Sequence, residues 1–207
     1  MLDTLNFHFQ IHACELNSSE FDQWFVNLLV NPTNLTAVLS DPTSLAKLLS
    51  VPSVIGNPTF TQKLFEYGTW NKATANKIID GANGSSGSKA LRFVGNTGVT
   101  VAGVSSGKLT IYDWPHWRIG IDMTDVSTIE FYARRVNAHG SIAVYVDTIG
   151  SKLAHINYAQ VSTAWTKYQF DMSGYTGNRV LIVCGGYIDS TGATNSETHY
   201  SDIKFNY

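Results

Sequence analysis

The stretch I-Y-D-W-P-H-W-R-I-G-I, residues 111–121, holds the chain's densest set of side chains able to do chemistry. Tyr112, Trp114 and Trp117 are flat amphipathic rings around Pro115, and Asp113, His116 and Arg118 stand between them. Flat rings match the apolar C–H faces of sugars, while the polar side chains can hydrogen-bond hydroxyls. The same rings suit two other uses, as anchors between protomers or as members of a core. Residue types alone leave all three open.

No catalytic constellation stands beside it. The chain has no GxSxG elbow, P-loop, HExxH or Rossmann glycine pattern. His116, His139, His155 and His199 are scattered without a nucleophile motif. Asp113, Asp122, Asp125, Asp147 and Asp189 could supply a glycosidase pair, but no spacing selects two of them. The expectation is that the chain is not an enzyme. His8 and His12 would share a metal on a helix; on a strand they lie about 13 Å apart, at about 3.3 Å per residue. Cys14 and Cys184 are the only cysteines, form no CxxC and read as free thiols of a reducing compartment.

Composition narrows the partners. With 207 residues the chain has room for one domain and an appendage. A net charge of −2 and a pI near 6.3 supply no basic field for nucleic acid. No apolar run approaches the roughly 18 residues of a membrane span. The opening M-L-D-T-L-N-F-H-F-Q lacks the basic and apolar regions of a signal peptide, so the sequons at Asn17 and Asn34 read as chance.

The elements that must position these residues fall into two grammars. Leu5, Phe7, Phe9, Ile11 and Ala13 alternate with polar residues, which predicts a strand over 4–14 with one apolar face. Ser18 or Ser19 caps a helix carrying Phe21, Trp24, Phe25, Leu28 and Leu29 at helical spacing. A ten-residue repeat follows. Asn31-Pro32 and Asp41-Pro42 each start a short helix, with Leu35, Val38 and Leu39 in one stripe and Leu45, Leu48 and Leu49 in the next. A third round begins at Val51-Pro52 and breaks off at Gly56. Helices of about eight residues are not stable alone in water. The stripes must pack on the chain's own β domain or on neighbouring copies; regular spacing favours stacking of copies, hence an oligomer.

From about Phe65 the strands are short and the turns frequent, as at Asn83-Gly84 and Gly95-Asn96-Thr97-Gly98. Alternation over 128–134, 142–147 and 167–172, and an apolar run at Val180–Cys184, predict about eight antiparallel strands in a β-sandwich. Ser201, Ile203, Phe205 and Tyr207 close the chain.

The runs L-F-E-Y-G-T-W, S-K-A-L-R-F-V-G, S-T-I-E-F-Y-A-R-R, I-A-V-Y-V-D, S-T-A-W-T-K-Y-Q-F-D-M-S-G-Y-T-G and H-Y-S-D-I-K-F resemble, in order, a carbohydrate-binding-module-like jelly roll over residues 64–207. The resemblance implies packing roles for Trp70 and Trp165, and a structural Ca²⁺ at the matching Glu66 and Asp202. Residues 1–60, with repeats of the form P-T-x-L-x-x-L-L-S, resemble bacteriophage tail-fibre and related virion proteins, where such units assemble, often as trimers. Arg134-Arg135 reads as a solvated strand end.

Together these readings describe a mainly β chain. Residues 1–60 form an attachment and oligomerisation segment, strand then short helices, and 64–207 form the jelly roll. The resulting expectation is a homotrimeric phage structural protein on the virion surface, assembled in the host cytoplasm, docking to other virion proteins through residues 1–60. As a tail fibre it would bind host glycan. The alternatives are a capsid decoration protein or head fibre without a specific ligand, and a carbohydrate-binding module of a bacterial enzyme.

Overall fold

The structure, a computed structural model, describes residues 18–71, 77–80, 89–94, 115–136, 142–146, 152–156, 161–185 and 197–207. The strand expected over 4–14, with His8, His12 and Cys14, lies outside them.

Five helices lead the chain: α1 (Ser18–Val30), α2 (Pro32–Ser40), α3 (Pro42–Leu48), α4 (Pro52–Ile55) and α5 (Pro58–Tyr67). Four begin with proline at the first turn, where its missing N–H costs nothing. The side chains of Asn31, Asp41 and Asn57 accept from the backbone N–H three residues on, in Asn34, Ser44 and Phe60. The restart grammar therefore runs past Gly56, where the sequence reading ended it, into a further Asn-Pro helix. That helix takes up Phe65 and Glu66, which the resemblance had put on an early strand.

Ten strands follow: β1 (Thr69–Asn71), β2 (Ile78–Asp80), β3 (Lys89–Val94), β4 (His116–Asp122), β5 (Thr128–Arg135), β6 (Ile142–Val146), β7 (Lys152–Ile156), β8 (Thr166–Asp171), β9 (Asn178–Gly185) and β10 (Glu197–Asn206). They form two five-stranded antiparallel sheets, ordered β1-β4-β9-β6-β7 and β2-β3-β10-β5-β8. The mainly β jelly-roll sandwich expected from the sequence is the fold. Phe93, Phe131, Tyr200 and Phe205 of one sheet face Trp117, Ile121, Val144 and Val183 of the other, all buried. The Tyr200 hydroxyl crosses between the sheets, donating to the Cys184 carbonyl at 2.6 Å and accepting from the Ala143 N–H at 3.0 Å.

Among the described residues no strand closes one side of this sandwich. β1 pairs with β4 only as far as Arg118, and β3 pairs with β10 only as far as Tyr200. The free margins of β4 and β10 are covered by helices. α3 packs on β4, α4 packs on β10, and α5 packs on β3. The Phe205 N–H donates to the Leu49 carbonyl at 2.9 Å, and Thr43 Oγ1 donates to Asp122 Oδ2 at 2.8 Å. A single apolar cluster runs from Phe21 through the helices into both sheets.

The two repeat stripes lie inside that cluster. Leu35, Val38, Leu39, Leu45, Leu48 and Leu49 are each between 0 and 6% exposed in the single chain. The packing need that led to the expectation of stacked copies is met within the chain. A Leu45→Ala variant should therefore lose about 2–5 kcal/mol, as large-to-small core changes do. Urea unfolding followed by far-UV and near-UV circular dichroism should keep one shared midpoint. A helical signal that melts apart from the tertiary signal would refute the single core.

Gly68 joins α5 to β1 at φ −61°, which any residue adopts. Space is what demands glycine here, since an added Cβ would lie 2.0 Å from Trp117 Nε1. Gly68→Ala should cost about 1–3 kcal/mol or more by overpacking, read as a drop in Tm of the folded chain.

Candidate functional site

Of the six residues expected to form an aromatic platform, three lie among the described residues. Tyr112, Asp113 and Trp114 lie outside the described residues. His116 and Trp117 are buried, and Arg118 is exposed. Trp117 is a core residue for a physical reason. On β4 it shares a face with Ile119 and Ile121, so the pleat turns it inward. Its ring meets Phe65 edge-on at 5.8 Å, and its Nε1 donates to the Phe65 carbonyl at 3.2 Å. Neither His116 nor Trp117 can offer a surface to a sugar or a second protomer.

The expected calcium ligands lie on different elements, Glu66 on α5 and Asp202 on β10. Glu66 is exposed on α5, and its oxygens accept from Gln62 Nε2 at 2.5 Å and Lys63 Nζ at 3.0 Å. The Gln62 hydrogen bond, then Lys63, hold its carboxyl below the usual carboxylate range. Asp202 sits at a β-bulge with φ 53°, a left-handed conformation that Asp tolerates. Among the described residues no three His, Cys, Asp or Glu side chains group closely enough to hold a metal. Cys184 is a free, buried thiol whose pKa is pushed well up by burial.

A different cluster assembles on the outer face of the second sheet. Register places His199 of β10 opposite Arg92 of β3 on one side and Arg134 of β5 on the other. All three point away from the inward-facing Leu91, Tyr200 and Ala133. Arg92 forks onto Glu197, donating from Nε to Oε1 at 2.7 Å and from Nη2 to Oε2 at 2.9 Å. Glu197 Oε1 also lies 2.6 Å from His199 Nε2, and Arg134 Nε donates to His199 Nδ1 at 3.2 Å. Nδ1 must be bare to accept, so the imidazole is neutral with its proton on Nε2.

Trp165, just before β8, completes the row. The Arg134 guanidinium lies over its ring at 4.9 Å, and its ring centre is 6.2 Å from that of His199. Trp165 and Arg134 are half-buried, so each keeps an exposed part. Tyr132 is half-buried on the same face, two residues from Arg134 on β5. Sequence reading assigned Trp165 to packing and Arg134 to a solvated strand end. The signal that could have found them was alternation: Trp165 shares parity with Lys167, Gln169 and Asp171, the polar side of β8. The neighbouring Arg135 is tied down, its Nε donating to the Val161 carbonyl at 2.7 Å.

Once this geometry is set, likeness to known proteins can be stated. No protein-family model matches the chain, and no curated protein matches it. Among solved structures, the module TmCBM61 in complex with beta-1,4-galactotriose aligns at TM-score 0.47 and 11% identity, over 74% of this chain and 97% of that one. The carbohydrate-binding module CBM36 in complex with calcium and xylotriose aligns at 0.41 and 10%, over 69% and 96%. A glycoside hydrolase family 43 arabinoxylan arabinofuranohydrolase from Bacillus subtilis aligns at 0.40 and 14%, over 67% of this chain. The match covers only 24% of that hydrolase.

The electrostatics of the row set its pH response. Burial holds His199 below its ordinary value of 6.5, against the opposing pull of Glu197. The Arg92 hydrogen bond, with a further contribution from His199, holds Glu197 below its ordinary 4.5 despite partial burial. For both groups the unfolded chain takes up a proton before the folded one, so stability falls with pH. The His199 share should be lost first, as pH drops below about 6.5, and the Glu197 share below about 4.5. Tm measured from pH 8 to 4 should fall in that order, and His199→Gln should flatten the upper step. A Tm that rises on acidification through 6.5 would contradict the neutral imidazole.

Proposed function

We propose that the chain is a glycan-binding module without catalytic machinery, and that it meets its ligand on the outer face of the second sheet. The observation that carries this reading is the Trp165 ring, half-buried just before β8 and held by Arg134 of β5, with Tyr132 on the same face. A fixed, partly exposed indole offers an apolar face at low entropic cost, and its polar neighbours can meet hydroxyls. Strands hold such a constellation more tightly than loops do. Catalysis is not part of the reading. Hydrolysis of a glycosidic bond needs two carboxylates. The row supplies only Glu197, already engaged by Arg92 and His199.

The helices belong to the same module as its lateral cover. A virion fibre or decoration protein could display this face outward. That expectation rested on the resemblance of residues 1–60 to tail-fibre repeats and on helices that need neighbouring copies; here the helices' stripes are covered by their own sandwich.

A glycan array probed with the whole chain should give discrete binders. Against the best of them, Trp165→Ala should lose about 2 kcal/mol, roughly thirtyfold in Kd, with the circular dichroism unchanged. Absence of any binder, or a variant that binds as well as the parent chain, would overturn this reading.

A further inference from the structure

The charges on the outer row do not balance. Two guanidiniums, of Arg92 and Arg134, share a single carboxylate, and Glu197 gives both its oxygens to Arg92. Arg134 has its Nε spent on His199 and its flat face on Trp165. Among the described residues no acceptor meets its Nη1 or Nη2. A half-buried guanidinium thus stands fixed by two contacts, with its outward donors unclaimed. His199 cannot neutralise it, because the imidazole accepts from Arg134 through a bare Nδ1.

Resting on the glycan reading above, we infer that the ligand carries a carboxylate, as a hexuronic acid does, and that Arg134 binds it. A planar carboxylate matches the guanidinium fork with two parallel N–H···O bonds, which a hydroxyl cannot do. Trp165 and His199 are positioning residues here. The indole fixes the plane of the guanidinium, and Nδ1 fixes its rotation. Preorganisation of this kind reduces the entropy lost on binding. The attraction is local, since the whole chain carries a net charge of −2 and no general basic field.

The test uses the unaltered chain with galacturonate and glucuronate tetrasaccharides, each beside its methyl ester, by titration calorimetry at low salt. One of the acids should bind about tenfold or more tighter than its ester, and the gap should narrow as salt is raised. Arg134→Lys keeps the charge and loses the fork. It should weaken the acid about tenfold more than it weakens the ester. Equal binding of acid and ester, or array binders that are neutral only, would overturn the inference and leave the glycan reading standing. An acid preference that survives Arg134→Lys would also overturn it, by placing the carboxylate elsewhere. If neither acids, esters nor neutral glycans bind, both readings fail together.

Discussion

The carbonyl oxygen of Phe65 accepts two indole N–H groups, from Trp70 at 2.8 Å and from Trp117 at 3.2 Å. It is one of the last carbonyls of α5, which the helix cannot satisfy internally. The preceding Leu64 carbonyl is taken by the Gly68 N–H, which ends the helix. Two tryptophans, one on β1 and one on β4, thus converge on the same helix terminus. A buried carbonyl left without a donor would cost about 1–3 kcal/mol, so the three elements hold one another in place. Gly68 sits at the turn because the Trp117 ring occupies the space a side chain would need. This joint sets where the helical segment ends and where the first sheet begins.

With α5 pinned, the preceding helices have a surface to lie on. A sandwich exposes backbone donors and acceptors wherever a strand lacks a neighbour, and natural proteins cover such edges. Here the short reach of β1 and β3 leaves β4 and β10 open on one side. A long helix would span that gap in one straight line. The proline restarts instead break the chain into short lengths, each turned to put its own Leu pair inward. The hydrogen bond from Phe205 to the Leu49 carbonyl shows a helix terminus standing in for a missing strand. The repeat is a periodic solution to covering one irregular edge.

The sequence was most readable where periodicity and local chemistry agree. Asn31-Pro32 and Asp41-Pro42 marked helix starts, and the Leu stripes marked buried faces. Alternation on β5, β6 and β8 marked a sandwich. What periodicity does not carry is the identity of the partner across each buried face, so regular spacing alone favoured stacking of copies over packing on the sandwich. Ser201, Ile203 and Phe205 look like one face, yet the bulge at Asp202 shifts the register, so Tyr200 faces inward with Phe205 while Ser201 pairs with Tyr132 on the other side. The I-Y-D-W-P-H-W-R-I-G-I stretch drew attention through aromatic density. On a strand, parity decides exposure, and parity sent Trp117 inward.

The same parity argument explains why the outer row is built as it is. On an outward face, Arg92, Glu197 and His199 would ordinarily be solvated, and exposed ion pairs contribute little. Here His199 and most of Glu197 are shielded by their neighbours, with the carboxylate side chain 16% and the imidazole 5% exposed. Shielding strengthens each hydrogen bond and raises the cost of leaving any partner unmet. The network is closed on the Arg92 side, where the fork satisfies both carboxylate oxygens. On the Arg134 side it is closed only at Nε. A sheet face could have been finished with a second acid opposite Arg134, as Glu130, four residues back on β5, meets Lys167 of β8 diagonally at 2.7 Å. The row instead ends in an indole, which orients a guanidinium without neutralising it. On the proposed reading a ligand, rather than the fold, completes this oriented cation beside a half-buried ring.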